Sequence, residues 1–543
     1  MPAPAPLAAR LLREAAVLAG FLALAAWATR PLVTDLTGST LVGPDPLIDL
    51  WTVNWLAGHL LHPGELFGGN VFHPEPNPVL FSDLSLGTAV LLAPLAWLGV
   101  DAVPLYNAGV LLALGFAGWA FHALTHGLTG SRSAGLLAGV LAAFASHQLY
   151  HIYHLNLLTI GWLALELLAL DRVARQPHAG WSLLLAVSFA FSVQSSGYYA
   201  VAAALLPLVF AAVHWRAWLR RRAMLAAAGA ALLGALLVWP YVDAFTELRE
   251  RERLQRPPGM SVRMAFQPGR DLGSSGHLWG ALVGRDGERL FPGLLAPALA
   301  LAALVRRGPH SGFYAVATLT LLVMSLGPRL ELAGRELELP YAWLFAIPPL
   351  DSMRHPYTFA AVATFLLAVL AGIGWAGLPL AKRRGAGAAV VGLAVIETLA
   401  PGPGVREIPR GLPQAWARVV QLPPGPVLEV PFLAPDAMLW AARHGWPTIN
   451  GDGAFRPGRH GVLADAIENH WVESVPEDLD ESKPLALILT EFPLRYIIVP
   501  GAGRRPDLWR LGEAFERSRI LRRVDELPNG DRIFEMSLPE SAP

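Results

Sequence analysis

The sequence predicts a polytopic α-helical membrane protein of about eleven transmembrane helices, followed by an exported α/β domain. Three observations carry that prediction. Of 543 residues, 54% are hydrophobic and only 15% charged, whereas soluble domains hold about 25% charged residues. Apolar runs near membrane-crossing length recur from Glu14 to Leu399. Beyond Pro401 a proline-rich stretch gives way to alternating strand and helix patterns.

Composition also excludes several classes. The formal net charge is +0 and no nucleic-acid motif is present, so no nucleic-acid partner is expected. Cysteine is absent, which rules out disulfides, thiolate zinc sites and a cysteine nucleophile. That usage suits a domain exposed outside the cytoplasm. Arg10 and Arg13 precede the first apolar run, Glu14 to Leu32, and no small-residue cleavage site follows it. The run reads as an uncleaved span with a cytoplasmic N-terminus.

With the N-terminus inside, residues 33–85 form a first outer loop. The next apolar run, Leu84 to Val100, is short and contains Pro94. If it crossed, every later basic cluster would fall on the wrong side, so it is expected to be re-entrant. Tyr106 to Thr125 then runs inward to the loop ending at Arg132, and Ala134 to Ala145 runs outward to the loop Ser146 to Leu155. Leu157 to Leu170 leads to Asp171 and Arg175 inside. Leu183 to Val193 leads out to Ser195–Tyr199, and Ala200 to Val213 leads in to Arg220–Arg222. Leu225 to Trp239 exits into a long outer loop, Tyr241 to Arg289, to which no role is assigned, although Arg249 to Arg256 is basic enough to meet anionic headgroups. Phe291 to Val305, Phe313 to Leu326, Tyr357 to Ala376 and Ala388 to Leu399 complete the series and leave the C-terminus outside. The resulting division is a transmembrane domain at 1–400, a linker at 401–426 and an α/β domain at 427–543. In the last, Val427–Val430 and Arg495–Val499 read as strands, Asp436 to His444 and Asp507 to Arg519 as helices, and Asn529-Gly530 as a hairpin turn.

Chemistry-bearing residues gather in the outer loops. Asp45 lies between two prolines that restrict its backbone, and Asp49 follows four residues later, on the same face if the stretch is helical. Trp51 and Trp55 suit a helix lying at headgroup level. The plainer reading of both acids is a solvated loop. Asp83 precedes the re-entrant run, where it either serves a site or caps a helix. His147, His151 and His154 have helical spacing, which suits phosphate or metal ligands on one face. Ser195-Ser-Gly-Tyr-Tyr199, with Tyr198, reads as a substrate contact or as aromatic belt. Arg354 stands just outside a span, where it either grips a phosphate or snorkels to the interface. Glu166, within a span, is expected to face another helix, and Glu397 to reach the outer cavity.

This order of spans, with Asp45-Pro-Leu-Ile-Asp-Leu-Trp51, His151-Ile-Tyr-His154, Ser195-Ser-Gly-Tyr-Tyr199, Ser352-Met-Arg-His-Pro356 and Arg495-Tyr-Ile-Ile-Val499, resembles the GT-C superfamily of membrane glycosyltransferases, in an uncharacterised bacterial branch. The resemblance covers nearly the whole chain. It implies a polyprenyl-phosphate sugar donor, an acceptor that is an envelope glycan, lipid or protein, and transfer at the outer face of a bacterial inner membrane. It makes Asp45 the catalytic base, with Asp49 or Asp35 as fallback. Arg354, His151, His154 and Tyr198 would bind the donor phosphate. A divalent metal, if used, would fall to Asp83, His151 and His154, although imidazoles in place of the family's acidic second-loop residues disfavour magnesium. Two rival readings remain: a transporter or flippase of a lipid-linked saccharide, against which the nearly charge-free spans speak, and an inactive glycan-binding envelope scaffold.

Overall fold

The structure is a computed structural model that describes residues 7–252, 267–332, 335–347, 350, 353, 355–398, 400–434, 436–501, 505 and 508–537. The helix Tyr357–Gly377 shows why the first part of the chain folds as it does. It has no charged residue in 21 positions, and 83% of its most apolar window is buried. A helix apolar on all sides must be covered on all sides. Here Leu295–Val305, Ser311–Ser325 and Arg132–Ala143 cover it. Small residues set the spacing: a methyl group on Gly374 would collide with the carbonyl of Leu299, and one on Gly372 would sit 2.9 Å from the carbonyl of Ala134.

The chain divides into two compact units. The first comprises Met1–Thr34, Ser85–Leu91 and Asn107–Gly404 and is helical. Among the described residues, four helices are long and apolar enough to cross a membrane: Leu7–Ala28, Ala102–Thr129, Arg221–Arg251 and Tyr357–Gly377. Shorter apolar helices of 10–17 residues include Arg132–Ala143, Ala179–Val193, Gly197–Val213, Leu295–Val305, Ser311–Ser325 and Ala386–Thr398. Gly161–Arg175 is helical over the remaining expected run, and the chain is a multi-pass membrane protein. The run expected to be re-entrant is the 12-residue helix Leu86–Trp97 with Pro94 inside it, short of membrane-crossing length.

One boundary is corrected. The outer loop expected from Tyr241 begins later, because the helix Arg221–Arg251 continues through Pro240. Glu247 and Arg251 stand four residues apart in its last turns, a spacing compatible with a polar helix end beyond the apolar run. Residues 253–266 of that loop lie outside the described residues. Glu166 is fully buried, as expected for a helix-facing acid. Glu397 lines a small cavity of about 20 Å³ together with Ser146, Trp279 and Phe291. Its carboxylate caps the helix Leu295–Val305, accepting from the backbone N–H groups of Leu294 at 2.8 Å and Leu295 at 3.2 Å.

The second unit comprises Asp35–Leu84, Leu92–Tyr106 and Val405–Pro543. A four-stranded sheet runs in the order Val427–Glu429, Tyr496–Val499, Arg532–Met536, Leu521–Glu526, with the first pair parallel and the others antiparallel. The hairpin turn falls at Asn529-Gly530, where Gly530 takes φ +82. Leu428, Ile497, Val499, Phe515 and Phe534 pack with Trp471 and Leu485 into one core. The expected linker carries a strand, Val405–Glu407, and a helix, Gln414–Val419.

The first outer loop folds into this same unit rather than standing apart. Ser39–Leu41 pairs antiparallel with Val405–Glu407. Phe72 and His73 donate their backbone N–H groups to the carbonyls of Asn450 and Thr448 at 3.1 and 2.9 Å, and Thr448 donates to Asn70 at 2.7 Å. Asn70 accepts from the Trp51 indole at 2.8 Å and donates to the carbonyls of Ala441 and Trp446. Buried polar groups need partners, and these are found only by joining segments hundreds of residues apart.

Two histidines in this unit are held neutral. Burial pushes His460 down to about 3, against the opposing hydrogen bond to the His73 carbonyl. Burial likewise lowers His444, stacked 3.9 Å from the Trp416 ring, to about 3. Glu75 meanwhile takes Arg459 at 2.7 Å as its cation.

Two tests follow from this packing. Gly374→Ala is expected to destabilise the helical unit by about 1–3 kcal/mol through overpacking, read as a fall in the melting temperature of the detergent-solubilised protein. An unchanged melting temperature would contradict the close approach to Leu299. In the second unit, an unfolded histidine titrates near 6.5 while His460 and His444 stay neutral to about 3, so the unfolded state binds more protons once pH falls below 6.5. Stability is therefore expected to drop with acidification by about 2 kcal/mol per histidine between pH 6.5 and 5. Thermal unfolding across that range should show it, and His460→Gln with His444→Gln should flatten the profile.

Candidate functional site

The segment from Ser146 to Leu155, expected to lie outside, holds the three histidines. They were expected on one face of a continuous helix, but the helix covers only Ser146–Tyr150. His151 closes it at φ −92, ψ 25, and His154 is extended at φ −103, ψ 93, ahead of the helical turn Leu155–Leu158. The break does not scatter the rings. The His147 and His151 centroids lie 4.3 Å apart and those of His151 and His154 5.3 Å apart.

What holds the rings is Glu288, from the loop to which the sequence assigned no role. Its backbone carbonyl accepts from His147 Nδ1 at 3.0 Å, and its carboxylate Oε2 lies 2.9 Å from His151 Nε2. Glu288 is placed by a small folded segment. Leu290 and Phe291 donate to the carbonyls of Asp271 and Gly273, and Ser274 donates to Gly284. At Gly287, φ +62, any side chain would strike the Arg270 carbonyl. Two serines tie the segment to the histidines: Ser274 Oγ meets Ser146 Oγ at 2.9 Å, and Ser275 Oγ donates to the Ser146 carbonyl at 2.8 Å. Tyr357 stacks on His151 with centroids 6.2 Å apart, and His355 lies 5.5 Å from Tyr357. Tyr198 Oη accepts from the His355 backbone N–H at 3.0 Å.

The electrostatics follow from burial. Desolvation holds His147 at about 3, reinforced by His151. His151 is also lowered to about 3, first by burial and then by His154, His355 and Arg289. Burial raises the Glu288 carboxyl above its usual range, against the pull of His147. The 2.9 Å contact of His151 with Glu288 therefore joins a neutral imidazole to a carboxyl group rather than two full charges.

A carbonyl can only accept, so His147 Nδ1 carries the proton and Nε2 is a bare lone pair. That Nε2 is buried and has no hydrogen-bond partner among the described residues. One ligand atom from each of His147, His151 and Glu288 lies within 4.8 Å of the others. A bare imidazole nitrogen whose other nitrogen donates to a carbonyl is the usual arrangement of a metal-bound histidine. The three residues thus fit a divalent ion, of the kind that accepts nitrogen ligands rather than magnesium.

The expected site residues fall as follows. His151, His154 and Tyr198 come together in the first unit. Ser195 and Tyr199 serve the fold: Ser195 Oγ accepts from Gly87 N at 3.0 Å, and Tyr199 donates to the Leu157 carbonyl at 2.6 Å. Asp45 and Asp49 share the helix Asp45–His59 of the second unit, Asp45 half-buried in its first turn and Asp49 buried. The surface-lying helix expected there is corrected. Most of it is covered, and Trp51 is 2% exposed because its N–H is committed to Asn70. Asp83 also lies in the second unit and is half-buried. The expected metal set of Asp83, His151 and His154 is not the one that gathers: His147 and Glu288 stand with His151 instead. Arg354 lies outside the described residues. Glu288 escaped sequence reading because an acid in a glycine- and arginine-rich loop has no periodicity to mark it. Its position just ahead of the next apolar run was the available signal.

No family model and no curated protein matches the sequence. Among solved structures, the fold is similar to that of the arabinofuranosyltransferase AftD from Mycobacteria, with a TM-score of 0.57 and 16% identity over 96% of this chain. The matched region spans 41% of AftD. Two structures of the Archaeoglobus fulgidus oligosaccharyltransferase also align, with TM-scores of 0.45 and 0.44 and identities of 11% and 10%. They cover 92% and 98% of this chain and 71% and 75% of theirs, a likeness too low for any fold argument. The resemblance drawn from the sequence is thereby shown at the level of architecture: the chain has a GT-C-like fold.

The orphaned lone pair generates a prediction. Purified protein is expected to bind one divalent transition ion, with cobalt giving a visible absorption band. His147→Ala or Glu288→Gln should weaken binding at least tenfold to a hundredfold, about the effect of losing a ligand or its support. Equal cobalt titrations of the wild type and both variants would make the cluster a hydrogen-bonded brace instead.

Proposed function

From a GT-C-like fold, we propose that the chain is a membrane glycosyltransferase that moves a sugar from a polyprenyl-phosphate donor to a cell-envelope acceptor at the outer face of a bacterial inner membrane. The observation that carries this reading is the meeting of four separate segments, 146–154, 198, 288 and 355–357, around His151 in the membrane unit. Packing alone does not call for neutral imidazoles, a carboxyl and tyrosine hydroxyls in one cluster. Such a cluster matches the polar end of a lipid-linked phosphate whose tail stays in hydrocarbon.

In this proposal the donor phosphate lies against His151 and His154, with the Tyr198 hydroxyl donating to it. Arg354, two residues after Ser352 and next to His355, steadies the phosphate as it leaves. A divalent ion held by His147, His151 and Glu288 would supply further positive charge toward that phosphate when bound. Asp45 accepts the proton of the acceptor hydroxyl, with Asp49 or Asp35 as the alternative base. The acceptor oxygen bonds to the anomeric carbon, the bond from that carbon to the phosphate oxygen breaks, and the electron pair departs on the lipid phosphate. The nitrogen-rich cluster departs from the carboxylate metal sets the resemblance implies, so strict magnesium dependence is not part of the proposal.

The test is in-vitro transfer with purified protein and a panel of polyprenyl-phosphate sugars. Asp45→Asn is expected to lower turnover by about 100- to 10,000-fold with normal expression. His151→Ala with His154→Ala is expected to weaken donor binding rather than folding. Full turnover in Asp45→Asn removes that base, and failure of every donor in the panel removes the reading.

A further inference from the structure

Away from the histidine cluster, at the opposite ends of its helices, the membrane unit carries a second polar feature. Two cavities adjoin there and share Pro177, His178 and Arg222. The first, about 690 Å³, is lined by Arg220, Arg221, Arg222, His178 and Trp181. The second, about 510 Å³, runs between the helices Ala179–Val193 and Arg221–Arg251 and is lined by Leu183, Leu225, Gly229 and Leu233.

The cations at the head of this groove are available. Arg220 donates to the carbonyls of Ala174 and Arg175, which anchors it. Arg221 and Arg222 are exposed, and no ion pair engages either among the described residues. The nearest acid in the neighbouring helix end, Asp171, is taken up by Arg175 at 2.7 Å and His310 at 3.4 Å. Both helices begin here, so their N–H ends add positive potential to the guanidinium groups. Trp181 stands at the rim with Arg172 over its ring at 5.9 Å, the placement of an interfacial indole.

We infer that this continuous groove holds one anionic glycerophospholipid of the inner leaflet, its phosphate between Arg221 and Arg222 and one acyl chain between the two helices. Charge complementarity selects the headgroup, because a zwitterionic lipid would bring a second cation to an arginine cluster. Length selects the tail. From Leu225 to Leu233 the helix rises eight steps, about 12 Å at 1.5 Å per residue, which fits within one leaflet of about 15 Å and is short for a polyprenyl chain. The floor is closed by Ser182 Oγ donating to the Ala226 carbonyl at 3.1 Å, so the groove is a trough rather than a gap between helices. Gly229 leaves the trough open, since a methyl group there meets nothing within 4 Å. This inference stands independently of the sugar-transfer reading.

Native mass spectrometry of the full chain, released from nanodiscs of phosphatidylcholine with or without phosphatidylglycerol, tests it. Wild type is expected to retain one phosphatidylglycerol, and Arg221→Gln with Arg222→Gln to lose it by roughly tenfold or more. Arg221→Lys with Arg222→Lys should keep it, and Gly229→Leu, which fills the trough without touching a charge, should expel it. Equal retention of phosphatidylcholine, retention by the glutamine or leucine variant, or equal stabilisation by glycerol phosphate alone would overturn the inference. So would a lipid-free dimer, which would assign the groove to a second copy of the chain.

Discussion

Glu288 is the residue on which the candidate site depends. Its backbone takes one imidazole and its side chain takes another, across sequence separations of 141 and 137 residues. In a setting of low polarity an unmade hydrogen bond is costly, so two buried rings held by one residue leave few alternative arrangements. The same bonds fix the tautomers. Because Nδ1 of His147 is spent on a carbonyl, its Nε2 is left as a lone pair facing the cluster. A structural hydrogen bond thereby creates a chemically useful atom.

The membrane unit supplies that cluster with rigid support. Tyr357 begins the most buried long helix, and Tyr198 begins another, so the aromatic groups around His151 are carried on helices rather than on free loops. The second unit has a different logic. Its two stretches, 35–84 and the C-terminal region, are joined by polar exchange through Asn70, Thr448 and Asn450. Asp45 and Asp49 thus sit on a helix packed against Ala437–His444 of the same unit.

Much of this was legible in the sequence. Apolar runs located the helices, since the bilayer and the buried core both reward the same residues. The run containing Pro94 read as too short to cross, and it forms a helix of 12 residues. The histidines were found because three titratable rings in nine residues outside a span are unusual. Other readings failed for identifiable reasons. The helical spacing of 147, 151 and 154 suggested a continuous helix, but long-range bonds to Glu288 hold the rings together without one. Trp51 read as interfacial from its type, and Asn70 drew it inside. Tyr241 read as the start of a loop because the apolar run ends at Trp239, while the helix runs on through Pro240 to Arg251.

By itself the sequence determined the class of the protein, the places of most of its helices and the stretches between them rich in acids and histidines, because these depend on composition and short-range periodicity. Tertiary structure alone decided which polar residues meet: Glu288 with the histidines, Asn70 with the C-terminal domain, Glu397 with a helix end. Hydrogen-bond partners of buried groups are chosen by distance in space, and a linear pattern carries no record of that distance.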